Sequence, residues 1–398
     1  MSGSARRRIA RGLEWIALAA LLAWLVVFAV RNRAVQWDAG TYHLAARAAL
    51  AGLDPYSMEN LTRLANGKIV FYPFVYPPIG LLPFLPLALL PLATALDLWI
   101  SLKVVLIVVL VVLWRGVARD VEWLPLALVG LLSYGASALW DLRAGNMGIV
   151  EAALVWMGLA AFVRGRRTAF AAWIVAASCF KLTPAVLLLL LLTPTGDRRA
   201  SATRLAIAVL ALVALVWGPL WIGPAAHWRG FLSNLGEIFP VGASNPSMLA
   251  LFLTYARTLM SSEDLALGLA VGGWLLFVAA VLAISARWLL ATWRARDARR
   301  WVFTAVWLYV LLAPRPMAYG FVVAAPAAVA LVPPPLDGPA GRRFVAVIFS
   351  VLGVPVAAGR APTDTILQFA PIVLALLFWI AVALPAAERR VLPVEQAA

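Results

Sequence analysis

What most constrains this chain is its repeated return to apolar runs of near-membrane length, separated by short basic clusters. The runs lie near residues 13–30, 96–114, 124–139, 147–163, 168–180, 183–193, 202–220, 265–286, 301–313, 319–333, 343–358 and 364–384. Of 398 residues, 64% are hydrophobic and 13% charged, and the mean hydropathy is +0.92. Soluble domains carry about 45–50% apolar and about 25% charged residues. A water-soluble core cannot hide that surplus, so lipid is the solvent for most of it. The expected fold class is all-α, a polytopic membrane helical bundle with about 12 transmembrane helices.

The formal charge of +15 does not point to nucleic acid, because the cations form short clusters between apolar runs. No long basic stripe with interleaved aromatics is present. Arg6 to Arg11, Arg115 with Arg119, Arg164 to Arg167, Arg198 to Arg204, Arg294 to Arg300, Arg342 with Arg343, and Arg389 with Arg390 fall at alternate ends of successive runs. All can face the cytoplasm together only if about twelve crossings are counted, which places both termini inside. The first run resembles a signal peptide but is long, lacks a small-x-small cleavage site and ends at Arg31 and Arg33. It reads as a retained first membrane helix. Cys179 is the single cysteine, which excludes a disulfide framework and suits a small buried hydrophobe.

That counting leaves over the proline-rich stretch from Tyr76-Pro77-Pro78-Ile79 to Pro91. A full crossing there would flip every later cluster outward, so the stretch reads as a re-entrant or half-length helix on the outer side. Two long outer loops are expected, from about Arg31 to Tyr76 and from Trp221 to about Asp264, both rich in Trp, Tyr, Gly and Pro. Loops of this length are usually functional or disordered, and the aromatic content argues for function. The chain therefore reads as one integral membrane domain over 1–398. It comprises a catalytic-type helical module at 13–220 with outer loop 31–76, a second outer loop at 221–264, and variable C-terminal helices at 265–384.

With that topology the outer helix ends collect polar side chains: Asp38 and Tyr42, then Asp141, Arg143 and Asn146, then Lys181, then Asn245 with Ser247, then Arg315. Each has a plain structural reading. Asp38 can cap a helix, Arg143 can pair with Asp141 at the surface, and Lys181 can snorkel to the headgroups. Glu151, about one turn inward from Asn146, reads equally as a partner for a nearby cation or as a direct participant. Taken together they suggest a site, because polar groups near a membrane interior are costly to keep. The set suits transfer from a phosphorylated lipid. Arginine and lysine hold a phosphate and stabilise it as it departs, and an aspartate can accept a hydroxyl proton. The two histidines, His43 and His227, lie in different loops, so no metal site and no cofactor is expected.

Seven pieces in order carry a family resemblance. They are Asp38 with Tyr42; Ala49 through Tyr56; Phe74-Val75-Tyr76-Pro77-Pro78; Gly145 with Asn146; Lys181 with Pro184; Asn245 with Ser247; and Pro314 with Tyr319. The chain resembles the family-87 glycosyltransferases, membrane enzymes of the C-type glycosyltransferase fold that use polyprenyl-phosphate sugar donors, over most of residues 13 to 335. The resemblance implies two large outer loops, Asp38 as catalytic base, and Lys181 and Arg143 as donor-phosphate ligands. It implies that Tyr42, Tyr76, Asn146, Asn245 and Tyr319 shape the sugar and acceptor pocket. Ala318 stands where many relatives carry a histidine, and Arg315 is the residue placed to compensate. Ala144 stands where a glutamine is frequent.

The expected activity is inverting transfer of a sugar, mannose by analogy, at the outer face of the plasma membrane. The donor would be a polyprenyl-phosphate sugar and the acceptor a glycolipid, a glycan or a protein; membrane lipid surrounds the chain and no nucleic acid is involved. A transporter or flippase would show internal repeats and midplane charges. A non-catalytic lipid-binding relative is the other alternative.

Overall fold

A computed structural model of the chain describes residues 3–66, 70, 72–194, 197–218, 225–237, 245–357 and 365–384, and its regular elements there are helical. Trp221, the pair Arg389 and Arg390, and the expected run limits at 220, 358 and 364 lie outside these residues. Helix α1 (Gly3–Asn32) is one uninterrupted rod. It packs on helix Trp123–Ala144 through Trp15 against Trp123 and through a hydrogen bond from the Leu124 amide to Glu14.

The first outer loop is not irregular. It holds α2 (Trp37–Leu50) and α3 (Met58–Leu64), the latter capped by Ser57, whose hydroxyl accepts from the Asn60 amide at 3.3 Å. The proline-rich stretch winds as a 3₁₀ helix (Pro78–Phe84) running into the short α4 (Leu85–Ala88). Prolines at 77, 78, 83 and 86 remove the amide donors that a regular α-helix needs. Both ends of the stretch return to α2: Tyr42 meets Tyr76, and His43 bonds the Leu90 carbonyl at 3.0 Å.

The helical body follows as α5 (Leu92–Val117), α6 (Trp123–Ala144), α7 (Gly148–Val163), α8 (Arg167–Ser178), a 3₁₀ helix (Thr183–Leu192) and α9 (Arg198–Trp217). The second outer loop contributes α10 (Ala225–Glu237) and α11 (Met248–Leu259), and α12 (Glu263–Ala295) and α13 (Ala298–Leu312) form a long hairpin. A 3₁₀ helix (Ala318–Ala324), α14 (Ala327–Ala330), α15 (Pro339–Val351), α16 (Val354–Ala357) and α17 (Thr365–Ala383) complete the described chain. Helix α6 is interrupted at 133–136, where Tyr134, Gly135 and Ala136 take left-handed backbone angles.

Among the described residues, five helices are long and apolar enough to cross a membrane: Arg8–Asn32, Leu92–Val117, Trp123–Ala144, Arg198–Trp217 and Glu263–Ala295. The protein is thus a membrane helical bundle, and of the expected crossings, about twelve, five are helices of this length. The remaining apolar runs form shorter elements, and two of them, Thr183–Leu192 and Ala318–Ala324, wind as 3₁₀ helices. A 3₁₀ helix rises about 2.0 Å per residue against about 1.5 Å in an α-helix, so a short run covers more depth.

Trp114, Trp156, Trp307 and Trp379 fill the centre of the bundle. The Trp156 indole donates to the Val323 carbonyl at 2.9 Å, tying the 3₁₀ helix Ala318–Ala324 to α7. Cys179 is free and buried, as a small hydrophobe in the core. At one end of the bundle, ion pairs of Arg342 with Asp120 and of Arg343 with Glu122 pin α15 to the α5–α6 turn, and Arg342 also pairs with Asp337 just before α15. The opposite end carries the polar cluster.

Candidate active site

Helix α2 sets three polar side chains on one face, because Asp38, Thr41 and Tyr42 are spaced i, i+3, i+4. Asp38 lies one residue inside the helix, after Trp37, and does not cap it; the cap position belongs to Gln36. Gln36 instead reaches across to the Leu96 carbonyl at 3.0 Å, fixing α2 to the start of α5.

The end of α6 comes to meet this face. Gly145 closes α6 in a left-handed conformation (φ 72°, ψ 22°). Its carbonyl accepts from the Trp99 indole at 2.8 Å. A side chain there has no room, since a Cβ would sit 2.7 Å from that of Ala39 and 2.8 Å from that of Gln36. This close approach delivers Asn146. Its amide nitrogen donates to Asp38 Oδ2 at 2.7 Å and to the Tyr42 hydroxyl at 3.0 Å. The orientation of the amide follows from the ionised carboxylate, which only accepts. The loop is closed by Tyr76, whose hydroxyl donates to Asn146 Oδ1 at 3.4 Å and lies 3.0 Å from the Tyr42 hydroxyl. Four residues spread over more than a hundred positions thus form one buried network.

Asp38 is 9% exposed. Burial raises its carboxyl from the usual range to about 6, while the Asn146 hydrogen bond and the charges of Lys103 and Lys181 pull the other way. Burial pushes the Tyr76 hydroxyl up to about 12, which keeps it a neutral phenol and a donor.

Below the network, Asp141 pairs with Lys103, both side chains being 0% exposed. Asp141 Oδ2 also accepts from the Ile149 amide at the start of α7. This corrects the surface pair Asp141–Arg143: residues two apart on a helix do not face each other. Arg143 lies against the Trp140 ring, 5.7 Å from its centre. Lys103 was not legible as a site residue, because it sits in an apolar stretch of α5 with its partner 38 positions away.

Lys181 occupies the break between α8 and the 3₁₀ helix and forms an ion pair with Glu151 at 2.9 Å. It is therefore held, not snorkelling, and Glu151 takes the first of its two readings, a partner for a cation. Burial works against the Lys181 charge, but Glu151 and the neighbouring Tyr76 and Asp141 more than compensate and raise its pKa. Tyr309 donates to Glu151 Oε1 at 3.3 Å, and its hydroxyl lies 3.0 Å from that of Thr183. The Lys181 ammonium stands 5.3 Å from the Tyr319 ring centre. Gly148 permits Tyr319 and Asp141 to come together: a Cβ there would lie 2.6 Å from Asp141 Oδ2 and 3.1 Å from the Tyr319 carbonyl.

Asp38, Tyr42, Tyr76, Asn146, Lys181 and Tyr319 are therefore gathered at one end of the bundle. Arg315 is half-buried, and burial lowers its pKa, with the neighbouring Tyr319 phenol pulling the other way. Arg143 and Asn245 make no hydrogen bond to the Asp38 network among the described residues. Asn245 is buried with its Oδ1 unsatisfied there, and Ser247 caps α11 by accepting from the Ala250 amide at 3.0 Å.

A further residue, Asn234 of α10, donates to the carbonyls of Tyr56 (2.9 Å) and Phe74 (3.1 Å). The Tyr56 hydroxyl in turn donates to the Tyr76 carbonyl at 2.8 Å. The second outer loop thereby clamps the first where it delivers Tyr76. No sequence pattern marked Asn234; the aromatic richness of both loops was the nearest signal.

Compared with known proteins, residues 74–314 match the model of glycosyltransferase family 87, well over half of the chain. No curated protein and no solved structure matches. Asp38 and Tyr42 precede the matched segment, and Asn146 and Tyr76 are the matched residues that bind them.

Proposed function

Since the chain belongs to glycosyltransferase family 87 and is a membrane glycosyltransferase, we propose that Asp38 is its general base. The donor in this reading is a polyprenyl-phosphate sugar. The acceptor hydroxyl oxygen attacks the anomeric carbon and gives its proton to Asp38. The bond from that carbon to the phosphate oxygen breaks, and polyprenyl phosphate leaves with the electron pair. A single displacement inverts the anomeric centre.

The observation that carries the reading is the hydrogen bond from Asn146 to Asp38, backed by Tyr42 and Tyr76. It occupies one carboxylate oxygen and orients the other. Lys181 suits the donor phosphate: it is 22% exposed and still charged, whereas Lys103 is sealed against Asp141. Arg143 and Arg315 are proposed as further cations toward the phosphate. Tyr42, Tyr76, Asn146, Asn245 and Tyr319 are proposed to shape the pocket for sugar and acceptor.

Mannose is the proposed sugar, on family resemblance, and a glycolipid, glycan or protein the proposed acceptor. The site is assigned to the outer face of the plasma membrane because the basic clusters lie toward the other end. The helical module at 13–220 and the loop at 221–264 are proposed to make the site, with 265–384 as variable support. The test is transfer of radiolabelled sugar from polyprenyl-phosphate-mannose in membranes carrying the wild type or Asp38→Asn. Transfer by the wild type and loss in the variant is the expected result. Equal transfer by both would remove Asp38 from the role of base.

A further inference from the structure

A second concavity lies far from Asp38. It encloses about 490 Å³ between the last turns of α5 and α7 and the turn from α12 to α13. Its walls include Gly116, Arg119, Arg164, Arg296, Asp297 and Arg299. Along α5, Gly116 is seventeen residues beyond Trp99, which holds the Gly145 carbonyl, so about 25 Å separates the two ends.

Four arginines thus ring one cavity, with a single carboxylate among them. Asp297 is committed as the cap of α13, where its Oδ1 accepts from the amides of Arg299 (2.9 Å) and Arg300 (3.2 Å). None of the four guanidinium groups enters an ion pair among the described residues. Other arginines at the same end are engaged. Arg342 and Arg343 hold acids, Arg167 lies over the Phe162 ring at 3.5 Å, and Arg300 over the Trp288 ring at 3.7 Å.

Gly116 lies beside Arg164, within ordinary contact distance of its guanidinium (3.8 Å from the position a Cβ would take). Arg296 turns the chain with φ 51°, a left-handed position that usually goes to glycine or asparagine. An arginine there suggests that its charge is the useful property. A guanidinium matches phosphate oxygens with paired donors, and the volume is that of an ordinary small-molecule site.

We propose that this cavity binds a phosphate-bearing anion, either a phospholipid headgroup or a soluble phosphate. Basic pockets between membrane helices take lipid phosphates in this way. The inference is independent of the identity of the transferred sugar.

The experiment uses the purified full chain in micelles doped with equal dioleoylphosphatidylglycerol and dioleoylphosphatidylcholine, read by native mass spectrometry. A second arm follows the unfolding midpoint in millimolar inorganic phosphate against chloride of equal ionic strength. The comparison variant is Arg164→Gln with Arg299→Gln. A headgroup site predicts preferential retention of phosphatidylglycerol, weakened about tenfold or more in the variant, with no response to phosphate. A soluble-phosphate site predicts a raised midpoint in phosphate that the variant loses. Absence of both effects in the wild type, or their persistence undiminished in the variant, overturns the proposal. Should the double variant fail to fold, Arg164→Gln alone serves the same comparison, because that side chain is solvent-exposed.

Discussion

The closeness of α2 to the end of α6 makes Gly145→Ala a stringent probe of how Asp38 is held. The new Cβ would sit 2.7 Å from Ala39 Cβ and 2.8 Å from Gln36 Cβ, with the Ala39 amide nitrogen at 3.1 Å. Carbon contacts settle near about 3.5–4.0 Å, so α2 must retreat by about 1 Å. The obstacles are atoms rooted on the α2 backbone and cannot swing aside. The left-handed φ of 72° costs an alanine about 1–2 kcal/mol, and overpacking about 1–3 kcal/mol more. A loss of about 2–5 kcal/mol in stability follows. The same retreat stretches the 2.7 Å contact between Asn146 and Asp38 past hydrogen-bonding range. A misplacement of about 1 Å in a catalytic group lowers rate on the order of 100-fold. Initial rates of sugar transfer and the unfolding midpoint should both fall. Gly40→Ala is the control: it lies in α2 with no atom within 4 Å of the new Cβ, and should be neutral or slightly stabilising. Transfer by Gly145→Ala within about twofold of wild type, with an unchanged midpoint, would refute the reasoning.

Four further outcomes are expected. Lys103→Met leaves Asp141 alone in the core and should lower stability by about 3–5 kcal/mol, most of it regained in Lys103→Met with Asp141→Leu; equal midpoints for single and double variants would count against it. Asp38 must be ionised to act as base, and burial raises its carboxyl to about 6, so the transfer rate should fall about tenfold per pH unit below that value. Asn146→Ala removes a hydrogen bond that lowers this pKa, so the acid limb should move to higher pH; a rate flat through pH 6 in the wild type would contradict the assignment. Lys181→Met should lower kcat/KM for the donor on the order of 100-fold, with Lys181→Arg partly retaining it, and unchanged donor kinetics would remove Lys181 from the phosphate.

Much of the site end was legible because its residues sit at breaks in apolar runs, where a polar side chain stands out. Asp38, Tyr42, Tyr76 and Asn146 are of this kind, and the structure joins them directly. Lys103 was hidden for the opposite reason: it lies inside an apolar run, and its neutralising partner is remote in sequence. Pairing of Asp141 was misjudged because adjacency along the chain suggested Arg143, while helical geometry turns that side chain away. Asn234 acts through backbone carbonyls, which leave no trace in composition. Element type within the shorter apolar runs was not legible, since hydropathy cannot distinguish a short α-helix from the 3₁₀ windings at Thr183–Leu192 and Ala318–Ala324.

The buried ion pair of Lys103 with Asp141 also bears on biogenesis. Helices α5 and α6 follow one another through a short turn; α5 carries Lys103 near its middle and α6 carries its partner Asp141 near its end. A lysine at mid-helix costs about 2.5–3.5 kcal/mol on insertion. Partitioning of α5 by itself meets that cost, whereas a hairpin with α6 carries its own neutralisation into the bilayer. The two should therefore leave the insertion machinery as a unit. Helix α7, whose Ile149 amide binds the same carboxylate, then joins a preformed pair.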